Sequence, residues 1–142
     1  MKTNIVLTFM VLLVQIQSCD YSDRRLQIKN DSKEVIVAEF SEDTLLKEMS
    51  NDNIECLTRD KILPGETLRK TMIGSENGWP FLIQRSKNKR LNVFFIIVDT
   101  ITKYQDWNHI REGKSYYRKE YTLEELEKTK WIIEYHSADV RQ

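Results

Sequence analysis

The chain has 142 residues, and its 22 Lys and Arg are balanced by 22 Asp and Glu. No basic excess exists to neutralise phosphates, which argues against nucleic acid as a partner. Hydrophobic residues at 40% and charged ones at 31% suit one ordinary globular domain, and two cysteines are too few for a disulfide-stapled scaffold.

Lys2 gives the chain a positive start, and Ile5 to Ile16 is an uncharged, mostly apolar run. At about 1.5 Å per residue this run covers roughly 18 Å of helix, short of the roughly 30 Å hydrocarbon core. It is the pattern of a secretory signal peptide rather than of a spanning helix. Ile16-Gln17-Ser18-Cys19 resembles the lipobox of bacterial lipoproteins: an aliphatic residue, a variable one, a small one, then cysteine. Gln17 departs from the usual small or β-branched residue there. The resemblance implies cleavage before Cys19, a diacylglyceryl thioether on its sulfur and an acyl group on its new amine. Two or more chains hold a protein to lipid stably, at about 0.8 kcal/mol per buried CH₂. The alternative is a plain secreted protein, in which Cys19 could pair with Cys56. Cutting residues 1–18 from the 142 leaves 124. The expected organisation is a signal peptide over 1–18, a lipidated cysteine and polar tether over 19–24, one β-rich domain over 25–136 and a polar tail over 137–142.

Arg25 to Asn30 alternates apolar and polar residues and predicts a half-buried strand. Asn30 to Lys33 has turn chemistry, and Val35 to Ala38 with Phe40 resumes as a strand, which predicts a hairpin. Ser41 to Asn53 reads as a loop with one helical turn, and Ile54 to Arg59 as a strand. Within that strand Cys56 is expected to be a small buried hydrophobe. Pro64-Gly65 presets a type II turn, and Thr67 to Ile73 is again β-rich. Gly74 to Gly78 reads as a loop, Trp79 to Ile83 as a short helix with Pro80 in its first turn, and Asn88 to Arg90 as a turn.

Leu91 to Val98 is apolar on both faces: Leu91, Val93, Phe95 and Ile97 on one, Phe94, Ile96 and Val98 on the other. A strand of that kind must be covered twice and belongs at the centre. Asp99 or Thr100 is then expected to cap a helix carrying Ile101, Tyr104, Trp107 and Ile110, ending at Gly113. Ser115 to Tyr121 alternates as a strand. Thr122 to Glu125 is a capping box opening a two-turn helix with Leu123 and Leu126 turned inward. Trp131, Ile133 and Tyr135 share one face of a closing strand.

Residues able to do chemistry are sparse. His109 follows Asp106 at helical spacing with Glu112 nearby, yet a metal site needs three or four convergent ligands, and no metal is expected. His136 sits beside Ser137 without a nucleophile elbow, and the four glycines are scattered, so no phosphate loop or cofactor is expected. Aromatic faces can stack on sugars, and Trp79 and Tyr116 are the aromatics expected to be exposed.

The run from Arg25 to Asn30 through Pro64-Gly65-Glu66, Leu91 to Asp99, Tyr104, Trp107, Ile110-Arg111 and Leu123 to Tyr135 resembles small uncharacterised lipoproteins of Bacteroidetes. The resemblance implies a bacterial source and a β-rich domain, and it carries no activity or catalytic residue. The fold expected is mainly β, a β-sandwich-like domain of about seven strands with two or three short helices. The function expected is a non-enzymatic interaction or accessory lipoprotein of the cell envelope, held to membrane lipid through Cys19. A glycan-binding module and a small envelope hydrolase are the alternatives, and an envelope protein or glycan the expected partner. Asp20 beside the cysteine would favour the inner membrane in enteric bacteria, but other groups do not follow that rule, and the outer membrane is expected here.

Overall fold

The computed structural model describes residues 22–74 and 78–137. The expected signal peptide, Cys19 and residues 138–142 of the expected polar tail lie outside them. Among the described residues there are eight strands in three small sheets and five short α-helices. The architecture is therefore mixed α/β, and the expectation of a mainly β, sandwich-like domain overstates the strands.

Strand β6 (Leu91–Ile97) is the centre of the fold. It lies between β3 (Ile36–Ser41) and β7 (Tyr117–Tyr121), antiparallel to both. Its alternation divides the core in two, as its doubly apolar sequence requires. Leu91, Val93 and Phe95 join the larger cluster, which also takes Ile28 and Ile133 from a second three-stranded sheet. Phe94 and Ile96 join the smaller cluster. That cluster is closed by Leu57, Ile101, Trp107 and Ile110 from helices α1 (Ile54–Arg59), α3 (Val98–Tyr104) and α4 (Trp107–Glu112). One face of the central sheet thus packs on the second sheet together with helix residues such as Ile83 and Leu126, and the other mainly on helices.

The second sheet is centred on β2 (Gln27–Asn30), with β4 (Thr67–Arg69) antiparallel on one side and β8 (Ile132–Tyr135) parallel on the other. Here the predicted hairpin fails. Both edges of β2 are occupied, while β3 pairs along its whole length with β6, from Ile36 opposite Ile97 to Ser41 opposite Asn92. The turn after β2 exists, but it carries the chain from one sheet to the other. Asn30 holds it from within: its buried Nδ2 donates to the carbonyls of Glu34 (2.7 Å) and Ile62 (2.9 Å), and its Oδ1 accepts from Ser32 N and Oγ.

Three further expectations are corrected. Ile54 to Arg59 is a helix rather than a strand, with Leu57 inward and Cys56 exposed, so Cys56 is not a core residue. The apolar stripe from Ile101 to Ile110 is carried by two helices, because Gln105 turns left-handed (φ 50°) and Asp106 starts α4 by accepting from Asn108 N at 3.0 Å. Neither Asp99 nor Thr100 caps α3, which begins directly after Ile97 with no side-chain cap. The loop before α1 is fastened to α4 instead. Trp107 Nε1 donates to Lys47 O (2.8 Å) and Arg111 Nε to Leu46 O (2.9 Å).

The expected tether is also part of the fold from Ser22 onward. Strand β1 (Ser22–Asp23) pairs antiparallel with β5 (Met72–Ile73), and the Asp23 side chain is buried. Asp23 accepts from Arg25 N, Nε and Nη2 at 2.7–3.1 Å and from Trp79 N at 3.1 Å, where helix α2 (Gly78–Arg85) begins. Burial opposes its charge most strongly. The Arg25 side-chain bond, the two backbone N–H groups and the Arg25 charge together outweigh that and hold its carboxyl below the usual range. Gly78 is required at this contact, since a Cβ there would collide with the Asp23 carboxylate and its φ is +52°.

Several local signals hold as expected. Gly65 (φ +80°) makes the turn in which Glu66 N donates to Leu63 O at 3.0 Å. Thr122 and Glu125 form the capping box of α5 (Leu123–Lys128), with Leu126 buried. No helix among the described residues is long and apolar enough to cross a membrane.

Candidate functional site: a tyrosine-lined cleft

Where β6 runs out and β7 begins, the edge of the central sheet opens into a cleft of about 390 Å³. That volume is in the range that holds a small ligand. Three segments build it. Helix α3 contributes Thr100, Lys103 and Tyr104, the turn after α4 contributes Lys114 and Ser115, and Tyr116 and Tyr117 lead into β7. Phe95 of β6 and Tyr135 of β8 form the apolar back.

The tyrosines are placed by the alternation of β7. Tyr117 turns toward the larger core cluster and stacks on Phe95, with ring centroids 6.5 Å apart and planes 22° apart. Tyr116 turns the other way and meets Phe94 edge-on, at 5.2 Å and 78°. Adjacent residues therefore present two rings on opposite sides of the sheet, and both line the cleft. Tyr104 stands at the end of α3, its ring 4.1 Å from that of His109 and under the Lys103 ammonium at 5.1 Å. Lys114 reaches the rim from a left-handed turn (φ 50°). That conformation costs a non-glycine residue roughly 1–2 kcal/mol. The cleft thus combines ring faces, hydroxyls and two ammonium groups, which can stack on and hydrogen-bond a polar ligand.

The residues singled out in the sequence are not gathered in one place. Tyr116 is half-buried and lines the cleft. Trp79, expected to be exposed, is only 3% exposed and packs on Phe40 with centroids 5.0 Å apart. Gly78 serves the Asp23 contact, and α2 carries the Trp79 ring into the larger cluster. The Asp106 carboxylate is spent on the N-terminus of α4, and no group of three metal-ligating side chains occurs among the described residues. His136 Nδ1 lies 3.2 Å from Asp31 and its Nε2 3.6 Å from Glu134. Ser137, the first residue of the expected tail, donates its hydroxyl to Glu34 Oε2 (2.8 Å) rather than to His136. That bond, ahead of a burial penalty that opposes it, keeps the Glu34 carboxyl below the usual range. Tyr104, Tyr117 and Tyr135 were legible only as packing residues. They lie apart in sequence, and only the packing of α3, β7 and β8 brings them to one cleft.

Comparison with protein-family models, curated proteins and solved structures finds no match to this chain.

Proposed function

We propose that this chain is a lipid-anchored lipoprotein of the cell envelope, held through Cys19, whose domain acts as a non-enzymatic binding module. The anchor rests on the signal-like leader and on the lipobox-like Ile16 to Cys19. The observation that carries the binding role is the tyrosine cleft: an open, partly apolar recess with hydroxyls and ammonium groups at its rim, a set suited to recognition. Its position suits an anchored protein. The chain enters the fold beside Trp131, whereas the cleft includes Tyr135 at the other end of the same strand.

The concentration of tyrosines favours a glycan as the ligand, because sugar C–H faces stack on aromatic rings while hydroxyls bond the rim. Binding of a saccharide library to the purified lipoprotein, read by tyrosine chemical shifts, tests this. The expected result is a saturable ligand whose affinity falls at least tenfold in Tyr116→Ala. A library with no binder would end the glycan proposal. An activity screen comparing the wild type with a His109→Ala, His136→Ala double variant tests the envelope-hydrolase alternative. Identical profiles are expected, and an activity lost in the variant would overturn the non-enzymatic assignment.

A further inference from the structure

The point where the chain enters the fold is strongly basic. Around Ser22 and Asp23 lies an open recess whose rim carries Arg24, Arg25, Arg69 and Lys130. Among the described residues lining this recess one carboxylate, Asp23, stands beside these four cations, and it is buried and bonded to Arg25. Arg24, Arg69 and Lys130 are exposed, and none of them makes an ion pair among the described residues. The backbone at this rim is unusual. Lys130 (φ 54°) and Trp131 (φ 64°) are both left-handed, which turns the chain sharply out of α5 into β8. A bulky side chain rarely adopts that conformation. The turn leaves Lys130 exposed at the rim while the Trp131 ring, 7% exposed, is roofed by the Arg25 guanidinium at 4.4 Å.

We infer that this basic apron rests on the anionic phosphate headgroups of the membrane that holds the protein. The inference builds on the lipid anchor proposed above, and it adds a surface and an orientation to it. Only three residue steps separate Cys19 from Ser22, a reach of at most about 11 Å. The apron is therefore kept within about one Debye length of the headgroups, where an anionic leaflet attracts basic side chains. Each cation near such a surface strengthens binding about fivefold. The tyrosine cleft, at the far end of β8, then opens away from the lipid.

Amine footprinting of the full lipidated protein tests this. The protein is placed in vesicles of phosphatidylcholine alone or of phosphatidylcholine and phosphatidylglycerol, and lysine modification is read by mass spectrometry after flotation. Lys130 should react about fivefold more slowly on the anionic vesicles, while Lys103 and Lys114 at the cleft react equally on both. High salt, or the exposed-site double variant Arg24→Gln, Arg69→Gln, should return Lys130 to its rate on the zwitterionic vesicles. Flotation with both vesicle types but equal Lys130 rates would overturn the apron and leave the anchor standing. Flotation with anionic vesicles only would support the apron and contradict the anchor. Failure to float with either would overturn both.

Discussion

The two ends of strand β8 are built on opposite principles. At its start, Trp131 is buried beneath Arg25, and the neighbouring Asp23 carboxylate accepts three hydrogen bonds from Arg25 and a fourth, from Trp79 N, that ties β1 to the first turn of α2. At its end, about 13 Å away at 3.3 Å per residue, Tyr135 backs a cleft whose rings and ammonium groups remain partly open. The first end is a clamp, with its buried carboxylate satisfied internally. The second gathers aromatic rings and ammonium groups around an open recess, which is what recognition needs. The contrast shows how a small domain can be stiff where it is tied down and receptive where it is free.

Substitutions at the two ends should therefore differ in kind. The largest effect is expected from Trp79→Ala at the clamped end. Removing that ring from the larger core cluster should destabilise the domain by about 3–5 kcal/mol in denaturant titration. Tyr116→Ala at the cleft should cost only about 1–2 kcal/mol, since its half-buried ring loses an edge contact with Phe94. Equal losses would erase the distinction between clamp and cleft.

Asp23→Ala should come next, at about 1–3 kcal/mol, because it strips the partners from Trp79 N and from the Arg25 N–H groups. Its effect also depends on pH. The carboxyl is held below its ordinary value in the folded state, so its contribution is present above that ordinary value. It is lost as pH falls through the folded one. Thermal melts of Asp23→Asn should therefore show a shallower loss of stability on acidification than the wild type, and parallel curves would contradict the clamp.

The smallest effect sharpens the comparison from the helix-covered face. Glu39 on β3 is pushed above the usual carboxylate range, first by burial, with the Lys70 charge opposing it and Asp60 adding to it. Its ionised form is disfavoured in the fold, so Glu39→Gln should raise stability at neutral pH by about 1 kcal/mol. The gain should shrink as pH falls and Glu39 itself becomes protonated. A destabilised Glu39→Gln protein would show that the charge supports the fold.

What was legible in the sequence was local. The two apolar faces of Leu91 to Val98, the Thr122 to Glu125 capping box, the Pro64-Gly65 turn and the alternation from Trp131 to Tyr135 each depend on neighbours in the chain, and each appears as expected. Partner choice was not legible. The hairpin after Asn30 is locally sound, yet β3 gains more by pairing with the most apolar strand, and β2 is taken by strands far away in sequence. The break at Gln105 carries no glycine to announce it, and Asp106 alone hinted at a new helix. Asp23 read as a polar tether residue because its partners, Arg25 and the start of α2, meet it only after folding. The cleft was hidden for the same reason: its rings come from α3, β7 and β8, and only Tyr116 stood outside the packing pattern.

The anchor is the claim on which the orientation and the apron depend, and the mature amino terminus tests it most directly. Mass spectrometry of the native protein from membranes should find Cys19 as the first residue, carrying a diacylglyceryl thioether. A terminus that retains the leader, or an unmodified Cys19 bridged to Cys56, would contradict the account.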